Sequence, residues 1–290
     1  MKRISKPTIV PADAFDACVA GITDAALSER FAAARADVVA NFELYDAHAK
    51  ALRLHSLAAS ERAQDKQVVL AEITKQEFVA LYSYYMVGAG KPGRAYYDKI
   101  MTLAHLNKCP FCRFGTVTTL DHFLPKSNYP AFSVLPYNLI PACKDCNTKK
   151  GSGVVARDSE LPHPYFEVEA IETDKWLYVE FSQTHPIEPR YVFRPPATWQ
   201  PDLSRRMGNY FRDMNLAHRF GIQAASEIVY WHEVLKQTPP EQRGAHLALH
   251  ADVERNLGRN TWRAALLDAL AASNWYAAEG YLLQQPEEVV

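Results

Sequence analysis

The sequence predicts an α+β fold that is mostly α-helical, with a central cysteine-rich module between N-terminal and C-terminal helical regions. Apolar residues recur at steps of three and four toward both ends of the chain, which is the spacing of one helical face. Two C-x-x-C pairs lie in the middle, and strand-favouring aromatic and β-branched residues follow them. We therefore expect helices over 1–93, the cysteine-rich module over 94–160, an extended segment over 161–200 and helices over 201–290.

The N-terminal region has the pattern of helices over residues 12–88. Thr74 and Glu77 have the spacing of a capping box, in which the two residues exchange hydrogen bonds at a helix start. The glycine-rich stretch from Gly88 to Gly93 interrupts this pattern, and a short helix is expected over 94–106. One apolar helical face is formed by Leu27, Phe31, Ala34, Val38, Phe42 and Tyr45.

The second half of the chain is expected to be extended at first and helical later. Residues 163–196 contain two groups of strand-favouring residues between prolines. From residue 202 onward the helical spacing returns, and its apolar face either packs in the core, which is the simpler interpretation, or binds a partner protein. That face is formed by Leu216, Phe220, Ala224, Ile228, Trp231 and Leu235.

Composition and charge exclude some classes of protein. The 290 residues are 48% hydrophobic and 22% charged, as is usual for a globular protein, and the net charge is −1. The segment from Gly90 to Asp158 is locally basic, with ten Lys and Arg against four Asp and Glu. The sequence has no apolar run long enough to span a membrane. We expect no secretory signal, because no long apolar segment follows the basic start. We expect a cytoplasmic protein without a membrane partner.

Four of the five cysteines form two C-x-x-C pairs, Cys109/Cys112 and Cys143/Cys146. Two such turns bring four thiolates together, which is the ligand set of a structural zinc ion. A redox role is less favoured because the surrounding sequence has no thioredoxin-like pattern, and four merely buried cysteines would not be so regularly paired. Cys18 lies in an apolar helical stretch and is expected to be a core residue.

Polar residues suited to metal-dependent hydrolysis lie between and just after these pairs. Asp121 offers a hard oxygen ligand for Mg²⁺ or Mn²⁺. The adjacent His122 has the ordinary pKa range of a general base. Asn147 follows Cys146 at the expected helix start, where its amide oxygen is a second candidate ligand. Lys149 and Lys150 come next and are candidate phosphate contacts.

This segment, residues 107–152, resembles the HNH (ββα-metal) endonucleases. Five of that family's elements occur here in order: an Asp-His pair, a Pro with basic or polar neighbours, an Asn-Leu, a C-x-x-C running into Asn, and a following Lys. In this chain they are Asp121-His122, Pro125-Lys126-Ser127, Asn138-Leu139, Cys143-Lys144-Asp145-Cys146-Asn147 and Lys150.

The resemblance implies a role for each matching residue. His122 would be the general base, and Asp121 and Asn147 would hold a catalytic Mg²⁺ or Mn²⁺. Asn138 would tie the intervening loop and orient His122. Lys126, Lys149 and Lys150 would contact nucleic acid. Two departures from the family pattern are that Asn147 replaces the final His and that Asn128-Tyr129-Pro130 replaces a common Gly-Gly.

The helical flanks and the Pro-Lys-Ser-x-Tyr-Pro loop also resemble HNH effectors of bacterial anti-phage operons, such as Septu-type systems. There the nuclease works beside an ATPase, so an ATPase or another defence-system subunit is an expected partner. The leading hypothesis is a metal-dependent endonuclease that acts on DNA. Two alternatives stay open: an RNA-directed nuclease toxin, for example one that cleaves tRNA, and a catalytically silent, zinc-stabilised nucleic-acid-binding or scaffold module.

Overall fold

The computed structural model describes residues 1–61, 64–183 and 187–283, and its fold is α+β and mostly helical, as predicted. The chain divides into two units, one comprising Lys2–Glu167 and the other Met1 with the described residues from Val168 onward. The N-terminal helices and the cysteine-rich segment therefore belong to the same unit. In the described part of the chain, no helix has both the length and the apolarity needed to cross a membrane.

The first unit begins with three helices, and their predicted apolar face is buried except at Leu27, which is half-buried. Phe31, Val38, Phe42 and Tyr45 are all at most 2% exposed, so the spacing of these residues did identify a core face. Cys18 is likewise fully buried, as expected for a core residue. The helices are α1 (Pro11–Ala20), α2 (Ala25–Ala33) and α3 (Arg35–Lys50).

The expectation of helix throughout 12–88 is wrong between α3 and residue 74. A short antiparallel hairpin stands there, with strands β1 (Val68–Leu70) and β2 (Ile73–Thr74). Its turn residues Ala71 and Glu72 have φ angles of 46° and 62°. Alanine and glutamate are not residue types that indicate a left-handed turn. No local signal therefore interrupts the helical pattern at this position.

The predicted capping box is confirmed at the start of α4 (Lys75–Ala80). The Thr74 hydroxyl accepts from the backbone N–H of Glu77 at 3.4 Å, and the Glu77 carboxylate accepts from the backbone N–H of Thr74 at 2.8 Å. This helix continues directly into a π-helix, Leu81–Met86. The next helix, α5 (Arg94–Met101), ends earlier than the predicted 106, and the backbone farther on is left-handed at residues 106 and 107.

Two strands and a helix follow one another in the cysteine-rich segment. Strand β3 (Thr119–His122) pairs antiparallel with β4 (Leu139–Ala142), so that Asp121 is opposite Ile140 and His122 is opposite Leu139. Helix α6 (Lys144–Lys150) begins immediately after β4 and packs on β3. The segment thus has two short strands followed by a helix that starts at Lys144, next to the predicted helix start.

The second unit combines a hairpin with helices. The extended structure expected over 163–196 is confirmed only for two strands, β5 (Leu177–Glu180) and β6 (Arg190–Phe193). Residues 170–173 are instead a helical turn, α7 (Ala170–Thr173), because alanine and glutamate there favour helix. Part of the connection between the strands, residues 184–186, lies outside the described residues. The later helices are α8 (Pro201–Asp213), α9 (Leu216–Gln237), α10 (Arg243–Gly258), α11 (Trp262–Ala271) and α12 (Asn274–Ala278).

The apolar face predicted for the C-terminal region lies in α9 and is part of the core. Leu216, Ala224, Trp231 and Leu235 are fully buried, and the remaining two members of the face are at most 3% exposed. Core packing, rather than an open face for a partner protein, therefore accounts for this pattern.

Candidate functional site

The four paired cysteines come together at the edge of the ββα segment. All four are buried, and their sulfur atoms lie within 4.8 Å of one another. The Cys112 and Cys143 Sγ atoms are 3.8 Å apart. Four thiolates about 2.3 Å from a tetrahedral zinc ion would be about 3.8 Å from each other. The cluster therefore has the ligand set and the spacing of a metal site that suits zinc.

Backbone N–H groups donate hydrogen bonds to two of these sulfur atoms. The N–H of Gly115 donates to Cys112 Sγ at 3.3 Å, and the N–H of Cys146 donates to Cys143 Sγ at 3.5 Å. Such bonds favour the thiolate, which is the form that binds metal. Hydrogen bonds from neighbouring thiols, that of Cys109 first, lower the pKa of Cys112 to about 6. Hydrogen bonds within the cluster also lower the pKa of Cys143, whereas they raise the pKa of Cys109 and Cys146, so two of the four thiols are the more easily deprotonated.

Asp121 places a buried carboxylate on β3, beside the last turn of α6. Its side chain is 5% exposed, and the Lys150 ammonium lies 3.3 Å from its Oδ1 atom. Its Oδ2 atom is buried and has no hydrogen-bond partner among the described residues. Burial raises the pKa of Asp121 to about 6, although Lys150 opposes that change. An unpartnered buried carboxylate oxygen is unfavourable unless it binds a cation, so Asp121 fits a hard divalent ion.

His122 ends strand β3 as a neutral imidazole held by one hydrogen bond. Its Nε2 atom lies 2.9 Å from the carbonyl oxygen of Ser133. A carbonyl can only accept, so Nε2 carries the proton and Nδ1 is the basic nitrogen. Burial, and next the charge of Lys126, lower the pKa of His122 to about 3. The imidazole is therefore unprotonated at neutral pH, which is the state that a general base requires.

Asn138 lies immediately before β4, is fully buried, and joins the two ends of the loop that follows β3. Its Oδ1 atom accepts from the N–H of Leu124 at 2.7 Å, and its Nδ2 atom donates to the Leu124 carbonyl at 3.1 Å. The same amide donates to the Phe132 carbonyl at 3.2 Å. The Tyr45 hydroxyl also donates to Oδ1. Asn138 thereby fixes the backbone that leads away from His122.

Helix α6 brings the remaining candidate residues toward β3. Asn147 is half-buried in this helix, three residues before Lys150 and hence on the same helical face. Lys150 faces Asp121 and also donates to the His122 carbonyl oxygen at 2.5 Å. Asn147 therefore lies on the same face of α6 as Lys150.

The three lysines predicted to contact nucleic acid differ in their surroundings. Lys149 is exposed. The Lys150 side chain is only 5% exposed and is bonded within the site. Lys126 lies 3.2 Å from the Ser83 hydroxyl and over the ring of Tyr82, with 4.7 Å between the ammonium and the ring centre. Of the three, only Lys149 presents its side chain openly to solvent.

Several residues of the site have no counterpart in the sequence motif. Tyr82 packs its ring against His122, and Tyr45 bonds Asn138. His163 is buried, accepts from the Tyr165 N–H at 3.1 Å and bonds the Tyr45 hydroxyl at 3.2 Å. His163 thus supports a packed chain reversal. Helical spacing marks Tyr45 as a core residue, but nothing in the sequence indicates that it reaches this loop.

Comparison with known proteins finds two curated relatives of part of this chain. Protein ea31 of Escherichia phage lambda is 34% identical over 164 residues, which are 56% of this chain and 55% of the relative. The Septu protein PtuB of Bacillus thuringiensis is 37% identical over 65 residues, which are 21% of this chain and 25% of the relative. The chain therefore spans about half the length of the first and a quarter of the second. No family model and no solved structure matches it significantly.

Proposed function

We propose that this protein is a metal-dependent HNH endonuclease. The observation that carries the proposal is the unpartnered, buried Oδ2 atom of Asp121 next to a neutral His122 whose Nε2–H is held by a carbonyl. Asn147 would supply a second oxygen from α6. The ββα order of these residues and the resemblance of the sequence motif support the same assignment.

The four-cysteine cluster is proposed to bind a structural zinc ion and to take no part in the chemistry. Four thiolates complete a tetrahedral coordination shell and leave no position for water or substrate. The cluster joins the turn at Cys109 to the start of α6 at Cys143. It therefore holds the helix that carries Asn147 against the strand that carries Asp121. Zinc affects catalysis only through this geometry.

Asp121 and Asn147 would hold one Mg²⁺ or Mn²⁺ ion, as hard oxygen ligands do. When bound, such an ion neutralises charge on the phosphate and on the leaving oxygen. His122 Nδ1 takes a proton from a water molecule whose oxygen then attacks phosphorus. The Ser133 carbonyl, bonded to Nε2–H, stabilises the imidazolium that forms. The P–O3′ bond breaks, the leaving oxygen takes a proton from water, and the products carry 5′-phosphate and 3′-hydroxyl ends.

Nucleic acid is the proposed substrate, with DNA favoured. The segment that contains the site is locally basic in a chain with a net charge of −1, and basic side chains favour a polyanion. Lys149 is the exposed lysine nearest in sequence to the proposed metal ligand Asn147. Lys126 and Lys150 would contribute positive charge from within the site rather than as flexible surface contacts.

A role in defence against phages is the proposed context. The short match to the Septu protein PtuB supports it, as do the helical flanks and the loop after His122. A second subunit, such as an ATPase, would then be the partner that controls cleavage. The longer match to a protein of phage lambda shows that related chains also occur in phage genomes.

Incubation of the purified protein with plasmid DNA and with total RNA tests the proposed activity. Each substrate is tested with Mg²⁺, with Mn²⁺ and after dialysis without added metal, while zinc content is measured in parallel. Dialysis is preferred to EDTA because a strong chelator would also remove zinc. We expect DNA cleavage that requires Mg²⁺ or Mn²⁺. Cleavage of RNA alone would favour the RNA-directed alternative. Binding of nucleic acid without any cleavage, at full zinc content, would favour the silent binding module.

A further inference from the structure

The N-terminal helical region reaches the proposed active site through one turn of unusual helix. The π-helix Leu81–Met86 directly extends α4, and π-turns are rare and often occur at functional sites. Tyr82 in this turn is 6% exposed. Its ring centre lies 4.3 Å from that of His122, with an interplanar angle of 74°. The imidazole is therefore held edge-on against an aromatic ring from outside the motif.

Helix α4 and the π-helix together contact two polar neighbours of His122, which are Ser133 and Lys126. The Ser133 hydroxyl donates to the Phe78 carbonyl at 2.6 Å, and the carbonyl of the same serine accepts from His122 Nε2. Lys126 is held by the Ser83 hydroxyl and by the face of the Tyr82 ring. Residues 78–83 thus fix the hydrogen-bond acceptor of the imidazole and a cation whose charge acts on it.

A single hydrogen bond does not fix the plane of an imidazole. With Nε2 bonded to the Ser133 carbonyl, the ring can still tilt about that contact, and Nδ1 would move with it. Contact with the Tyr82 ring removes this freedom, because a T-shaped aromatic pair has a defined geometry. Burial raises the pKa of Tyr82 well above its usual value, so its phenol stays neutral and is not a competing base.

We infer that Tyr82 is a positioning residue for the general base: its ring holds the His122 imidazole in the plane that aims Nδ1 at the attacking water. This inference rests on the proposed function for its catalytic consequence, but the contact itself is a property of the fold. It also gives the N-terminal helical region a defined part in the reaction. A misplacement of about 1 Å in a reacting group can slow catalysis about 100-fold.

The test compares Tyr82→Leu with Tyr82→Phe, and uses Tyr84→Leu as the matched control. Tyr84 lies in the same π-helix but is 68% exposed, so its loss should change nothing in the site. Tyr82→Phe keeps the ring and should stay within about 2-fold of wild type. Tyr82→Leu should lower kcat about 10- to 100-fold with little change in KM. If the leucine variant loses zinc or folds poorly, Tyr82→Met replaces it, since methionine fills the space without a ring.

The second readout is independent of nuclease activity. In zinc-loaded protein without Mg²⁺, the side-chain ¹⁵N signals of His122, assigned with His122→Gln, report its tautomer and order. We expect a single, sharp Nε2–H form in wild type, Tyr82→Phe and Tyr84→Leu, and a broadened or mixed form in Tyr82→Leu. An unchanged His122 spectrum and unchanged kcat in Tyr82→Leu would overturn the inference. If wild type cleaves nothing, the proposed function fails, while the spectra still decide whether Tyr82 fixes the imidazole.

Discussion

Replacing Asp121 with asparagine should stabilise the metal-free protein while removing its divalent-cation site. The carboxylate is buried, its Oδ2 atom has no partner in the described structure, and its pKa is raised from 3.8 to about 6. The folded protein therefore holds the Asp121 proton more tightly than the unfolded chain does. The ionised Asp121 therefore lowers the stability of the fold, and a functional role would account for an aspartate at this position.

The size and the sign of the effect follow from this pKa. A rise from 3.8 to about 6 corresponds to about 3 kcal/mol, at about 1.4 kcal/mol for each pH unit. Below pH 3.8 the carboxyl is protonated in both states and has no cost. As the pH rises through about 6, ionisation progressively destabilises the fold, and the full effect is present above that pH. Asparagine does not ionise. The free energy of unfolding of Asp121→Asn should therefore exceed that of wild type by up to about 3 kcal/mol at pH 7.5 and by about half of that at pH 5.

Urea unfolding of both proteins in metal-depleted buffer, with one equivalent of zinc, measures this difference. Both proteins have the same four cysteines, so zinc contributes equally to their unfolding free energies and does not affect the difference between them. Added Mg²⁺ should stabilise wild type but not Asp121→Asn, because only wild type binds it. Asp98→Asn is the matched control: this exposed partner of Arg94 should change stability by less than about 0.5 kcal/mol. An asparagine variant that is less stable than wild type at pH 7.5, or a difference that does not depend on pH, would refute the reasoning.

Three further predictions concern the four-cysteine cluster and the loop after β3. Gly115→Ala would place a methyl group 2.9 Å from Cys143 Sγ. We expect this variant to release zinc to a chelator faster than wild type and to lose about 1–3 kcal/mol of unfolding free energy. Gly153→Ala is the control, because that position has open space around it, and its zinc release and stability should match those of wild type. Asn138→Ala removes three buried hydrogen bonds to the backbone. It should lower the unfolding free energy by about 3 kcal/mol and leave the zinc content unchanged. A decrease of less than about 1 kcal/mol would contradict the assigned hydrogen bonds. Cys109→Ser should lose zinc and fold poorly, as judged by metal analysis and circular dichroism, and a stable, zinc-free variant would show that the cluster is not structural.

Sequence periodicity predicted the elements that are amphipathic and local. The helical faces around Phe42 and Trp231 are buried as their spacing indicated, and the Thr74–Glu77 capping box forms because its bonds join residues three apart. The cysteine cluster was equally predictable, since two C-x-x-C turns constrain where their sulfur atoms can converge.

What the sequence did not indicate depends on contacts between distant residues. Tyr82 and His122 are forty positions apart, and no spacing rule connects them. Lys150 looks like a surface phosphate contact, yet the packing of α6 on β3 directs its ammonium inward to Asp121. The hairpin turn at Ala71 could not be predicted, because neither of its left-handed residues is a glycine or an asparagine. In each case tertiary packing, rather than local preference, decides the outcome.

The central claim, that His122 is the base of a metal-dependent nuclease, is tested most directly by one comparison. Cleavage of plasmid DNA by wild type and by His122→Ala is measured at the same Mg²⁺ concentration, with zinc content and unfolding midpoint confirmed to be similar. We predict that the alanine variant loses cleavage while it keeps zinc and fold, because it lacks the Nδ1 atom that accepts the proton of water. Full cleavage activity in that variant would contradict the account.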